Sequence, residues 1–183
     1  TMHGKEKVIG AKMKEVFEIS SSIDKDFNTD KFGTFSGEIE RVVSPYDSAL
    51  KKCLAANRDY NADLVVSSEG SFFMTYGFVS TNHEFLLLKD FKNDLEIKAE
   101  FVTHDTNFNG QLFTEIKDLD DFLDRSKFPS HALVLRPRSD SFQRIDKGVN
   151  DIVLLEKLMK SYIAEFGSVY LETDMRAMYN PTR

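Results

Sequence analysis

Two strand-like runs, residues 84–91 and 95–103, flank Lys92-Asn93-Asp94, a segment that reads as a tight hairpin turn. This hairpin constrains the fold more than any other feature, because the remaining segments alternate helix with strand. Strict alternation builds a parallel sheet, whereas a hairpin forces at least one antiparallel pair. The pattern predicts an α/β fold with a mixed, partly parallel sheet flanked by helices.

The other segments fill in that frame. Residues 4–17 read as an amphipathic helix, with Ile9, Met13, Val16 and Phe17 on the apolar face and Lys7, Lys12 and Lys14 toward water. Residues 20–44 read as a long polar connection carrying Phe32-Gly33-Thr34-Phe35-Ser36-Gly37, and loops of that length are functional or mobile. Ser44-Pro45 supplies a capping hydroxyl and a first-turn proline to a helix that runs to about Asn57 and buries Ala49, Leu50, Cys53 and Leu54. The run Ala62-Asp63-Leu64-Val65-Val66 predicts a short buried strand that ends at Ser67-Ser68-Glu69-Gly70. A short helix over Asp118–Arg125 and a strand over His131–Arg136 follow. Residues 150–165 give the clearest helix, with Ile152, Leu155, Leu158, Met159, Tyr162 and Ile163 at spacings of three and four and Gly167 as the stop. Val169-Tyr170-Leu171 predicts a last strand, ending in Glu172-Thr173-Asp174. With no internal repeat and no linker, residues 1–183 read as one domain.

Composition excludes several classes. The net charge of −6 opposes binding to a nucleic acid duplex, where phosphate contacts supply much of the affinity. No run approaches ~18 apolar residues, so no membrane partner is expected. The single cysteine, Cys53, forbids an intrachain disulfide and a cysteine-rich zinc site, and a cytoplasmic location follows as the expectation. On its helix Cys53 reads as a small buried residue, with a reactive thiol as the other reading.

The candidate functional residues lie at the ends of elements. His3-Gly4-Lys5 opens the first helix, where free amides and a cation suit a phosphate; an ordinary exposed helix can open the same way. Glu69 follows a strand and precedes Gly70, a place for a ligand-facing carboxylate or for a solvated turn. Glu38, Glu40 and Asp47 add carboxylates of the kind that hold Mg²⁺. Arg136, Arg138, Arg144 and Lys147 form a basic island in an acidic chain, with Arg176 and Arg183 as a second; guanidinium groups suit phosphate oxygens, though a charge run also suits a solvated face. The four histidines are dispersed without metal-ligand spacing, and the nucleophile-elbow, P-loop and dinucleotide motifs are missing.

Several blocks carry a resemblance. Met2-His3-Gly4-Lys5-Glu6, Phe32-Gly33-Thr34-Phe35-Ser36-Gly37-Glu38, Ser68-Glu69-Gly70-Ser71-Phe72, Thr106-Asn107-Phe108-Asn109-Gly110 and Glu172 to Arg183 resemble the signature blocks of an uncharacterised, mostly bacterial family of unknown function. That resemblance implies a strand just upstream of Met2, so that the first helix packs beside residues before Thr1. Many members also carry a cysteine-rich tail, which this sequence does not show. More distantly, the order of blocks resembles the inosine/xanthosine triphosphate pyrophosphatase superfamily. His3-Gly4-Lys5 stands where that superfamily has its phosphate loop, Asp47-Ser48-Ala49 with Lys52 matches its acid-bearing helix, and Ser68-Glu69-Gly70 matches its acidic turn. The first-loop Asn is replaced by His3, and a paired-aspartate turn is reduced to Glu69.

This second resemblance implies a cleft in the α/β fold and Mg²⁺-dependent hydrolysis of a nucleoside triphosphate to monophosphate and pyrophosphate. Glu69, Asp47 and Lys52 would be catalytic. Glu69, Glu38 and Asp47 would hold the metal, and His3, Gly4, Lys5, Arg136, Lys147 and Arg176 would hold phosphates. Lys5, Lys52 and Glu69 would then converge on one site. The alternative is a non-catalytic binder of a nucleotide or phosphorylated metabolite on the same fold. Both readings make a small phosphate compound the partner and are compatible with a homodimer.

Overall fold

The structure, a computed structural model, describes residues 4–23 and 44–182. These residues gather into two compact units: one from residues 44–105, the other from residues 4–23 and 106–182. Each has its own sheet and its own apolar cluster.

The first unit is a helix on a three-stranded meander. Helix α2, Pro45–Tyr60, starts as the Ser44-Pro45 pair predicts, with the Ser44 hydroxyl accepting from the Asp47 amide at 3.1 Å. (Helix α1, Glu6–Phe17, belongs to the second unit.) Strands β1, Leu64–Thr75, β2, Val79–Asp90, and β3, Leu95–Thr103, pair in that order, antiparallel throughout. The β1–β2 turn places Tyr76 and Gly77 both at positive φ, a backbone that tight hairpins favour. In the β2–β3 turn the Asp90 carboxylate accepts from the amides of Lys92 and Asn93 at 2.9 and 3.0 Å, as the Lys92-Asn93-Asp94 signal foretold. Ala49 and Cys53 of α2 pack on Phe85 and Leu87 of β2, with Leu50 beside them; Leu54 points away and is half exposed, contrary to expectation. Burial pushes the Cys53 thiol up to about 12, which makes it a core residue and an unreactive thiol.

The second unit contains α1, strand β4, Gly110–Phe113, helix α3, Asp120–Ser126, strands β5, Leu133–Arg136, and β6, Asp146–Val149, helix α4, Ile152–Phe166, and strand β7, Val169–Thr173. A short 3-10 turn over Ala177–Tyr179 follows. The strand order is β4-β7-β5-β6, again antiparallel at every pairing. The partly parallel sheet predicted from helix–strand alternation is therefore corrected. Strands β6 and β7, joined by α4, do run the same way, but β5 lies between them and takes the hydrogen bonds of both. Helix α4 is capped as read, by the Asp151 carboxylate on the Leu154 amide at 2.7 Å and by Gly167 at φ +77. It buries Leu155, Met159 and Tyr162 against Leu133, Leu135, Val169 and Leu171. Helix α1 forms where predicted, yet none of its side chains is buried, and Val16 and Phe17 are exposed. Among the described residues no helix is long and apolar enough to cross a membrane.

Candidate functional site

In the first unit, β1 does not stop at Val66. It runs through Ser67-Ser68-Glu69-Gly70 to Thr75, so Glu69 lies mid-strand opposite Phe85 and not at a turn. Directly opposed residues of an antiparallel pair share a face. Phe85 faces α2, and Glu69 faces it too. Lys52, on α2, meets the Glu69 Oε1 at 2.5 Å, with the lysine 16% and the glutamate 3% exposed. The expected meeting of Lys52 and Glu69 is thus present, as a buried ion pair. Asp47 stands five positions before Lys52, about 140° around the helix. Its carboxylate accepts from the Ser44 hydroxyl at 2.7 Å and closes the cap. Among the described residues no group of three or more His, Cys, Asp or Glu side chains is arranged to hold a metal ion. With Glu69 held by Lys52 and Asp47 by Ser44, these two acids as they stand do not fit a Mg²⁺ pair. Glu38 and His3 lie outside the described residues.

The remaining candidates belong to the second unit. Gly4 takes φ +75 just before α1, and a Cβ at that position would lie 3.8 Å from the Met178 Cβ, so the start of α1 sits against the 3-10 turn. Lys5 is the N-cap residue of α1 and so belongs to this unit, while Lys52 and Glu69 belong to the other. Gly148, at φ +73, lies under the Tyr179 ring; a Cβ there would come within 2.8 Å of the ring Cζ. The Arg176 guanidinium stacks on the other partner of that contact, 4.6 Å from the Tyr179 centroid. Lys147 pairs with Val134 on β5, and Val134 pairs with Glu172 on β7, so Lys147 and Glu172 flank one residue on the same face. Arg136, two residues along, shares that face and forms a close ion pair with Glu172. Burial pushes the Glu172 carboxyl up, against the pull of Arg136.

Sequence reasoning missed the residue that ties this corner together. Asp174 is 2% exposed. Its carboxylate accepts from the Gly148 amide at 3.1 Å, the Arg176 amide at 3.2 Å and the Arg176 guanidinium at 2.6 Å. A second buried chain lies alongside. Asn180 donates to Asn107 at 2.8 Å, Asn107 donates to the Ser126 carbonyl at 2.9 Å, and Thr182 donates to Asn180 at 2.9 Å. The His131 imidazole closes it, 3.1 Å from Thr182 and 2.8 Å from Ser130. With the Thr182 hydroxyl proton committed to Asn180, the His131 Nε2 donates to Thr182. The available signal was the Glu172–Arg183 block, quoted for its resemblance and not for its chemistry.

Burial holds His131 below the ordinary histidine value. The unfolded chain therefore takes up a proton first as pH falls. The stabilisation is complete above about pH 6.5 and is lost as pH drops from there toward the folded value. Urea unfolding should show lower stability at about pH 5.5 than at about pH 7.5, and His131→Gln should flatten that dependence. An unchanged slope in the variant would remove His131 as its source.

Fold and site together define a mixed α/β protein with two antiparallel sheets, in which buried carboxylates are satisfied by the chain's own cations and amides. The chain belongs to the family described as a domain of unknown function, DUF6671, whose model matches residues 52–183. That stretch contains Lys52, Glu69, Arg136, Lys147, Asp174 and Arg176 and leaves Gly4, Lys5 and Asp47 outside. No curated protein and no solved structure matches the chain. The membership agrees with the first resemblance; the likeness to the inosine/xanthosine triphosphate pyrophosphatases gains no support from these matches.

Proposed function

We propose that this chain binds a phosphorylated small molecule without cleaving it, at the corner of the second unit where Gly4-Lys5, Lys147-Gly148 and Arg176–Tyr179 come together. The observation that supports this reading is the contact of three distant segments through two positive-φ glycines, Gly4 on Met178 and Gly148 under Tyr179. Glycine allows close backbone approach, a helix N-terminus favours an anion, and Lys5 and Lys147 supply the positive charge, Arg176 being committed to Asp174. The Tyr179 ring adds a flat surface beside those cations.

A Mg²⁺-dependent nucleoside triphosphate pyrophosphohydrolase remains the second reading, favoured by the contact of Lys52 with Glu69. Phosphoryl transfer needs charge neutralisation and an oriented water. A glutamate already neutralised by lysine offers a cation less than an ionised pair of acids does.

One experiment separates the two. Calorimetric titration with phosphate, pyrophosphate and a nucleoside triphosphate panel is run with Mg²⁺ and with EDTA, alongside assays for released pyrophosphate and phosphate. The binder reading expects saturable heat, no product, and at least a tenfold weaker affinity for Lys147→Gln. Turnover that needs Mg²⁺ and disappears in Glu69→Gln would replace it with the hydrolase reading. Absence of any phosphate binding would sink both.

A further inference from the structure

The three-stranded sheet of the first unit has two unlike faces. One carries Glu69, Phe85 and Leu87 beneath α2, the one described helix of that unit. Register places Leu64, Val66, Phe72 and Met74 of β1 on the opposite face. Leu86 and Leu88 of β2 join them, with Leu95, Ile97, Ala99 and Phe101 of β3. An antiparallel sheet whose outer face meets water alternates apolar with polar residues. Here the outer face is apolar as well, and no described element of the unit covers it.

The same surface continues into a projecting arm. Strand β3 ends its pairing at Thr103 opposite Asn82, so the β1–β2 hairpin runs on beyond it as a two-stranded ribbon. At its tip Tyr76 is 86% and Phe78 76% exposed, and Met74 on the outer face is close to half exposed. On the sheet itself Phe101 is 65% exposed and Ile97 51%. Large apolar side chains exposed together in this way mark an interaction surface.

We propose that this outer face and hairpin tip form an interface with a second copy of the same chain. Two observations select that occupant. The first is area: two nearly bare aromatic rings, Phe101 and the half-exposed aliphatic side chains offer roughly 700–800 Å² per copy, one side of a standard protein–protein interface. The second is charge. From Ser71 to Thr81 there is no charged residue. On the outer face register leaves only Glu84 and Asp90 charged, and Asp90 is held by its own turn. A two-fold interface brings each patch onto itself, so it tolerates few like charges. In a chain of net charge −6, this surface meets that condition. An anionic bilayer would instead favour lysine or arginine within the patch, and among the described residues the outer face and the Ser71–Thr81 hairpin carry neither.

The test is the solution mass of the full chain by sedimentation velocity and light scattering, over roughly 1–100 μM. The expected species is the dimer, at twice 21.0 kDa. Phe78→Lys at the tip and Phe101→Lys on the sheet face should each weaken the dimer at least 100-fold. Both positions are exposed, so circular dichroism of the folded variants should match the parent, and any fall in the urea midpoint should grow with protein concentration as loss of the dimer requires. A parent protein that stays at monomer mass over the whole range overturns the proposal. So does a dimer that neither substitution weakens. The same proteins are mixed with neutral and anionic phospholipid vesicles. Vesicle binding by a monomeric parent, lost in Phe78→Lys, would assign the surface to a bilayer and overturn the homodimer.

Discussion

Lys52→Met should cost about 3–5 kcal/mol of stability, while Lys52→Met combined with Glu69→Leu should fall close to the parent or above it. The asymmetry comes from burial. Glu69 is 3% exposed and faces α2, so removing the lysine leaves a carboxylate without its counter-charge in an apolar layer of Ala49, Cys53 and Phe85. Lys52 is 16% exposed and has a flexible stem, so Glu69→Gln should cost less than Lys52→Met, because the ammonium can move toward water. Replacing both charges with apolar groups of similar volume removes the desolvation penalty along with the attraction. Urea denaturation of the four proteins closes a double-mutant cycle. A double variant as damaged as Lys52→Met would mean that the pair does more than neutralise itself, and would revive a polar role for this spot.

Asp174→Ala should be the most damaging change among the polar residues of this corner, at about 3 kcal/mol or more. The carboxylate is 2% exposed and satisfies two backbone amides and one guanidinium from two chain segments. Without it the Gly148 amide and Arg176 lose their acceptor together, and the Tyr179 contact on Gly148 loses its brace. Asp174→Asn keeps the shape and one acceptor oxygen but drops the charge, so it should fall between parent and alanine. Phosphate affinity measured on the same proteins should decline in the same order if the corner is the binding site. A stability loss below roughly 1 kcal/mol for Asp174→Ala, the size of an ordinary surface effect, would contradict the role assigned to it.

Local chemistry was most legible where one segment decides its own conformation. Helix α4 carries its caps in Asp151 and Gly167 and its core stripe at the right period, and the β2–β3 turn carries Asp90 and Asn93. Glu69 was misplaced because Ser67-Ser68-Glu69-Gly70 has the composition of a turn. Only its pairing with Phe85 and the lysine arriving from α2 keep that polar stretch in a strand. Strands β4 and β6, four residues each, were too short to show alternation. Helix α1 forms where its apolar spacing places it, yet that face is not buried, since periodicity reports an apolar face and not what meets it. Of the candidate site, the cationic residues were named from charge contrast. The acid that organises them was not, because nothing in the Glu172–Arg183 segment says which carboxylate folds inward.

The order β4-β7-β5-β6 sets a timetable for synthesis. The strand made last of the four, β7, is an inner one, and among the described residues it is the one neighbour of β4. At about 5–20 residues per second, a ribosome delivers β4 several seconds before residues 169–173 exist. Until then β4 has no ladder to join, and Leu133 and Leu135 lack the strand that seals one side of them. The second unit is therefore bound to assemble late, after its final strand has cleared the exit tunnel. The first unit, a local meander, has everything it needs by residue 103.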